Sequence, residues 1–142
     1  MVNEASPWSA VLALQQAAHS SLHRLSAQLA EYGLTGSELN ALANLPAGKG
    51  RTVSGLAAAA GFRATTMTSV LDRLERRGLV TRRNAPGDRR AVLVELTASG
   101  KTAAADVRDA MFGLERRALA DLSADAIAGL RVGLRALAEV AP

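Results

Sequence analysis

Nine arginines fall between residues 51 and 90, opposed there only by Asp72, Glu75 and Asp88, so this stretch holds a net +6. The flanking stretches, 1–50 and 91–142, each hold a net −1. Guanidinium groups stay charged at any working pH and grip phosphate as a fork, so a concentration of them is chemistry for a polyanion. A GC-rich genome would by itself explain fifteen arginines to two lysines. It would not explain why acids are scarce in those same forty residues.

Other reactive sets are sparse. The chain has no cysteine, which excludes disulfides, thiolate zinc sites, iron–sulfur clusters, a nucleophilic thiol and a thiol redox sensor. His19 and His23 stand at i and i+4, a spacing that can hold a metal from one helical face. With no acidic cluster nearby in sequence, they read instead as helix surface or a subunit contact. No Ser/His/Asp set, Gly-rich phosphate loop or spaced carboxylate pair is present, so neither an enzyme nor a cofactor is expected.

Nearly half the residues are apolar (49%) but only 3% are aromatic, which favours closely packed helices built on Leu, Val and Ala. No apolar run approaches the roughly 18 residues of a membrane helix. The opening Met1-Val2-Asn3-Glu4 lacks a basic signal region. A single soluble, cytoplasmic domain is the expectation.

The pattern predicts a first helix from about Trp8 to Glu31, with Pro7 in its first turn and Gly33 as its stop. Thr35 reads as the N-cap of a second helix, with Glu38 reaching back as capping-box partner and Leu34 stapled onto Leu39. That helix runs to about Leu45 and breaks at Pro46-Ala47-Gly48. A third helix follows Thr52 and ends at Gly61. A fourth spans about Ala64 to Arg77, closed by Gly78. Leu79–Arg83 and Ala91–Leu96 read as strands joined through the turn-forming cluster Asn84–Asp88. Thr97 starts a long helix to about Leu122, and Ser123 caps a last one carrying Ile127, Leu130, Leu134 and Leu137. The fold class is mainly α with a small β-hairpin, in the layout of a winged helix-turn-helix.

On the fourth helix, Met67, Val70, Leu71 and Leu74 share one narrow arc, the core face. The opposite arc carries Thr65, Thr68, Ser69, Asp72, Arg73 and Arg76, with Thr66 and Arg77 at its margins. Short hydroxyls let a helix approach base edges, and arginine reaches phosphate or guanine. In the hairpin, Arg82 and Arg83 precede the turn while Arg89 and Arg90 leave it, placing cations where a narrow minor groove is most negative. Asp88 is expected to brace the Arg90 guanidinium by a bidentate hydrogen bond. The bland alternatives are a solvated helix face and an exposed turn with a local ion pair.

Gly78-Leu79-Val80 to Arg83, followed by Gly87-Asp88-Arg89-Arg90-Ala91-Val92-Leu93-Val94 and Leu96-Thr97, closely resembles the wing of MarR-type regulators. Leu71-Asp72-Arg73-Leu74-Glu75-Arg76-Arg77-Gly78 is similar to the end of their recognition helix. The resemblance covers roughly residues 34–102 by motif and the rest by helix order. It implies a homodimer held by the first, fifth and sixth helices. It implies a pseudo-palindromic operator, read by the fourth helix in the major groove and by Arg90 in the minor groove. It also implies transcriptional control, most often repression relieved by a small aromatic or phenolic ligand.

On this reading 1–142 is one domain, with dimerisation helices in 1–33 and 100–142 around a DNA-binding lobe at 34–99. The expected DNA contacts are Arg63, Thr65, Thr66, Thr68, Ser69, Arg73, Arg76, Arg82, Arg83, Asp88, Arg89 and Arg90. Ser69 departs from the pattern, because these regulators commonly carry an arginine there. A shorter side chain leaves more of the binding to Arg73, Arg76 and Arg63. Trp8 and Tyr32 are candidates to line an effector site, although large aromatics in so Ala-rich a chain serve more often as core or interface anchors. The competing reading is a winged-helix dimer that binds proteins and has lost DNA.

Overall fold

The computed structural model describes residues 9–140; Pro7 and Trp8 lie outside them. The elements are α1 (Ala10–Gln28), a 3₁₀ turn (Ala30–Tyr32), α2 (Gly36–Ala43), β1 (Arg51–Thr52), α3 (Val53–Ala60), α4 (Ala64–Arg76), β2 (Val80–Ala85), β3 (Asp88–Leu96), α5 (Ala98–Ala118) and α6 (Ala124–Ala138). Among the described residues, six α-helices and one small sheet make a winged helix-turn-helix with long flanking helices.

Most helix starts follow the local code. Thr35, Thr52, Thr97 and Ser123 each accept a hydrogen bond from the backbone N–H three residues on, relieving a donor the helix cannot use. The ends differ more. α1 stops at Gln28, not Glu31, and tightens into the 3₁₀ turn before Gly33, whose φ of 59° reverses the chain. Such turns satisfy carbonyls left over at a helix end. α5 stops at Ala118, short of the expected Leu122.

The sheet has three strands in the order β1-β3-β2, all antiparallel. β1 is a strand the sequence pattern does not predict, since two residues carry no periodicity. The β2–β3 turn is tighter than expected, with only Pro86 and Gly87 outside the strands. Proline followed by glycine at φ 78° fits a type II turn. The ladder is irregular just beyond it. Asn84 pairs with Val92 and Ala85 with Asp88, so Arg89, Arg90 and Ala91 have no opposite residue and bulge from the ribbon.

The core lies beneath α4 and the strands. Met67, Val70, Leu71 and Leu74 are all fully buried, as the arc on α4 predicts, and pack with Leu39, Leu42, Leu56, Val80, Val94 and Val107. Of the six α-helices described, α6 alone contributes no buried residue.

Candidate nucleic-acid interface

The outer surface of α4 is laid out much as its periodicity requires. Thr65, Thr66, Thr68, Ser69, Asp72 and Arg76 are exposed, and so is Arg63 at the N-cap. Arg63 makes no side-chain cap bond, which leaves the first-turn N–H groups open toward an anion. The Thr68 hydroxyl donates to the Ala64 carbonyl at 3.0 Å. The hydroxyls of Thr65, Thr66 and Ser69 have no protein partner among the described residues.

The nine arginines separate into two sets. Arg73 is half-buried and turned toward α2, where its Nε donates to Glu38 Oε1 at 3.1 Å. Arg77 lies 3.8 Å from the other Glu38 oxygen and donates to the carbonyls of Gly33 and Tyr32. Arg82 contacts Asp72 and Glu75, each at 2.6 Å. Its guanidinium is held more firmly protonated than usual, first by the hydrogen bond to Glu75 and, against the opposing effect of burial, by that to Asp72. Arg83 donates to Glu95 at 2.6 Å. By contrast, Arg51, Arg63, Arg76, Arg89 and Arg90 have no carboxylate within 4.0 Å among the described residues.

Two expectations are corrected here. The Glu38 side chain does not return to the Thr35 N–H, because the stronger partners are the α4 guanidiniums. Asp88 does not brace the Arg90 guanidinium. Its carboxylate accepts from the Arg90 backbone N–H at 2.9 Å, a local Asx-type bond that shapes the bulge and leaves the arginine head uncommitted.

Of the cations without a carboxylate, Arg90 shares a groove with Thr68 of the hydroxyl face. This groove of about 320 Å³ runs between the start of α3, the start of α4 and the ribbon, lined by Thr52, Ser54, Thr68, Arg90, Val92 and also the acid-paired Arg82 among others. Ser54 joins this surface although the sequence pattern does not single it out. The available signal is a hydroxyl in the first turn of a helix preceding α4.

Elsewhere, His19 and His23 are both exposed on α1. Among the described residues no group of three or more His, Cys, Asp or Glu could hold a metal. Tyr32 donates its phenol hydrogen to Asp106 on α5. An open apolar groove of about 550 Å³ separates α1 from α6, with Ala13, Leu14 and Ala17 facing Leu130, Leu134 and Leu137.

Residues 32–91 match the family model for the MarR family. The organic hydroperoxide resistance transcriptional regulator of Bacillus subtilis is 38% identical over 60 residues, 40% of this chain and 41% of that one. The chain thus matches about two fifths of that relative's length. A probable transcriptional regulator of known structure from Pseudomonas aeruginosa is 30% identical, with a TM-score of 0.72 over 91% of this chain and 96% of that one. CouR from Rhodococcus jostii RHA1, solved with p-coumaroyl-CoA, is 23% identical with a TM-score of 0.84 and covers 99% of both chains.

Proposed function

This chain belongs to the MarR family of transcriptional regulators, and on that premise we propose that it is a homodimeric repressor that binds a pseudo-palindromic operator and is released by a small molecule. The observation that carries the reading is the sorting of the arginines. Arg73, Arg77, Arg82 and Arg83 are paired with carboxylates, while among the described residues Arg51, Arg63, Arg76, Arg89 and Arg90 are not. Of these, Arg63 and Arg76 belong to α4 and its N-cap, Arg76 donating only to the Asp72 carbonyl. Arg89 and Arg90 belong to the bulged end of β3. A surface selected only for solubility has no reason to place its unneutralised cations at both ends of one helix and on the bulged ribbon beside it.

In this reading α4 enters the major groove with Thr65, Thr66, Thr68 and Ser69 toward the bases, and Arg63 and Arg76 flank it on phosphate. Arg90, with Arg89 beside it, reaches the minor groove. Arg73 and Arg82 support the interface from behind, Arg83 stiffens the ribbon through Glu95, and Asp88 shapes the bulge. Ser69 places a short donor where the family commonly has arginine, so base preference at that step differs.

Residues 34–99 form the DNA-binding lobe, and 1–33 with 100–142 form the dimerisation region. A 15-residue helix with no buried side chain and Leu130, Leu134 and Leu137 on one stripe is not stable alone in water. A second copy covers that stripe and the α1–α6 groove. The effector is a small aromatic or phenolic molecule, a class supported by the p-coumaroyl group of the ligand with which CouR is solved. The protein works in the cytoplasm; no helix among the described residues is long and apolar enough to cross a membrane.

Affinity selection from random duplex DNA tests the proposal. The expected result is an enriched inverted repeat with half-sites about one or more helical turns apart. Affinity for it should fall about 10³–10⁵-fold between 50 and 200 mM salt if the dimer neutralises roughly 6–10 phosphates. The absence of arginine at position 69 favours one second reading, a protein-binding dimer. Failure to retain any duplex in dilute buffer would select that reading instead.

A further inference from the structure

Glu38 is only 3% exposed, and its Oε2 makes no hydrogen bond. A carboxylate withdrawn from water costs several kcal/mol, on the order of that for any buried ion, unless charge compensates it. The compensation comes from α4. Arg73 and Arg77 stand at i and i+4, one turn apart on one side of the helix, and each approaches a different oxygen of Glu38. One carboxylate held between two guanidiniums a turn apart opposes both rotation of α4 about its axis and sliding along it. Arg77 also donates to the carbonyls of Tyr32 and Gly33, so the same knot includes the turn between α1 and α2.

Resting on the DNA-binding reading above, we propose that Glu38 is a positioning residue for the DNA-reading helix. It withdraws Arg73 and Arg77 from DNA and fixes the rotation of α4 so that Thr65, Ser69 and Arg76 face the groove. Simple electrostatics predicts the opposite sign. Removing an acid near the interface and freeing two arginines would strengthen binding to every duplex. A positioning role weakens binding to the selected operator and spares random DNA.

The experiment uses the full chain, the selected operator and a random duplex of equal length, titrated over a range of salt. Glu38→Gln is expected to lose about tenfold or more on the operator, the scale of a misplaced base contact, with random-duplex affinity held within about threefold. The slope of log affinity against log salt is expected to stay unchanged for Glu38→Gln and for Arg73→Gln. Replacing an arginine that sits on phosphate would instead lower it by about 0.9 for each phosphate no longer neutralised. If Glu38→Gln fails to fold by circular dichroism, Arg77→Gln carries the same expectations from a half-exposed position. Operator binding equal to or tighter than wild type, or a reduced slope for Arg73→Gln, overturns the positioning role. Wild-type protein that retains neither duplex overturns the DNA-binding reading itself, and the inference with it.

Discussion

The Arg82 guanidinium on β2 lies 2.6 Å from a carboxylate oxygen of Asp72 on α4, and its Nε donates to Glu75, also at 2.6 Å. Asp72 and Glu75 are one turn apart, so a single arginine ties the ribbon to the outer edge of the helix. With its charge matched by two acids, Arg82 is a poor phosphate ligand and a good strut. Arg82→Gln is expected to cost less than about 1 kcal/mol of stability, because all three side chains are partly solvated. It should weaken operator binding without lowering the salt slope. Chemical denaturation and gel shifts over a salt series measure both. A lower slope would return Arg82 to the set of phosphate ligands.

Arg90 is in the converse situation. The Asp88 carboxylate holds its backbone N–H, and no carboxylate among the described residues holds its guanidinium. Arg90→Ala should therefore weaken operator binding by more than about 1 kcal/mol, as expected when a side chain no longer reaches its groove. Mass in solution and thermal stability should stay as in wild type. Unchanged affinity in a gel shift would remove Arg90 from the interface.

The contrast between these arginines shows what the sequence can and cannot convey. Caps at Thr35, Thr52, Thr97 and Ser123 act over three residues, and the buried arc Met67–Leu74 repeats with the helix; both are local and both are legible. Charge composition identifies the basic middle but not its partition. Glu38 meets Arg73 thirty-five positions away and Arg82 meets Asp72 ten away. Such pairings depend on how elements pack, so an arginine bound to a structural acid and one left for a ligand look alike in sequence. The local capping rule offers Glu38 a plausible partner in Thr35, and a longer-range charge pair displaces it. β1 escapes the pattern for a related reason, since its two residues are a strand only because β3 passes beside them.

Gly100 marks the tightest junction between α5 and the ribbon. A Cβ there would lie 1.8 Å from the Leu79 carbonyl oxygen. The Thr97 hydroxyl meanwhile accepts from the Gly100 N–H and donates to the Gly78 carbonyl at 2.6 Å. Backbone on both sides leaves no flexible group to yield. Gly100→Ala should destabilise the chain by about 2 kcal/mol or more, toward the upper end of overpacking costs. Urea denaturation measures it, and a stability within about 0.5 kcal/mol of wild type would show that α5 moves aside freely.

The exposed stripe on α6 has a separate consequence. Leu130 is 43% and Leu134 39% exposed in the single chain, and a second copy would bury both. Replacing the pair, Leu130→Glu with Leu134→Glu, should turn the proposed dimer into a monomer by light scattering while leaving the lobe folded. Operator affinity should fall steeply, because each half-site then binds alone. A variant that remains dimeric would place the subunit interface elsewhere.

Tyr32 links the α1–α2 turn to α5 through its hydrogen bond to Asp106. That bond, followed by partial burial and the charges of Asp106 and Glu31, raises the phenol from its ordinary 10.0 to about 12. The neutral phenol is the form that donates, so the folded chain holds this proton more tightly than the unfolded one. The associated stability is complete below pH 10 and is lost as pH rises through about 12. Tyr32 is the only tyrosine in the chain, so phenolate absorbance reports it alone. The native protein should titrate with a midpoint of about 12, and Asp106→Asn should bring the midpoint back toward 10. A native midpoint already near 10 would mean that Asp106 does not hold the phenol, and that the turn receives no tie from α5 at this point.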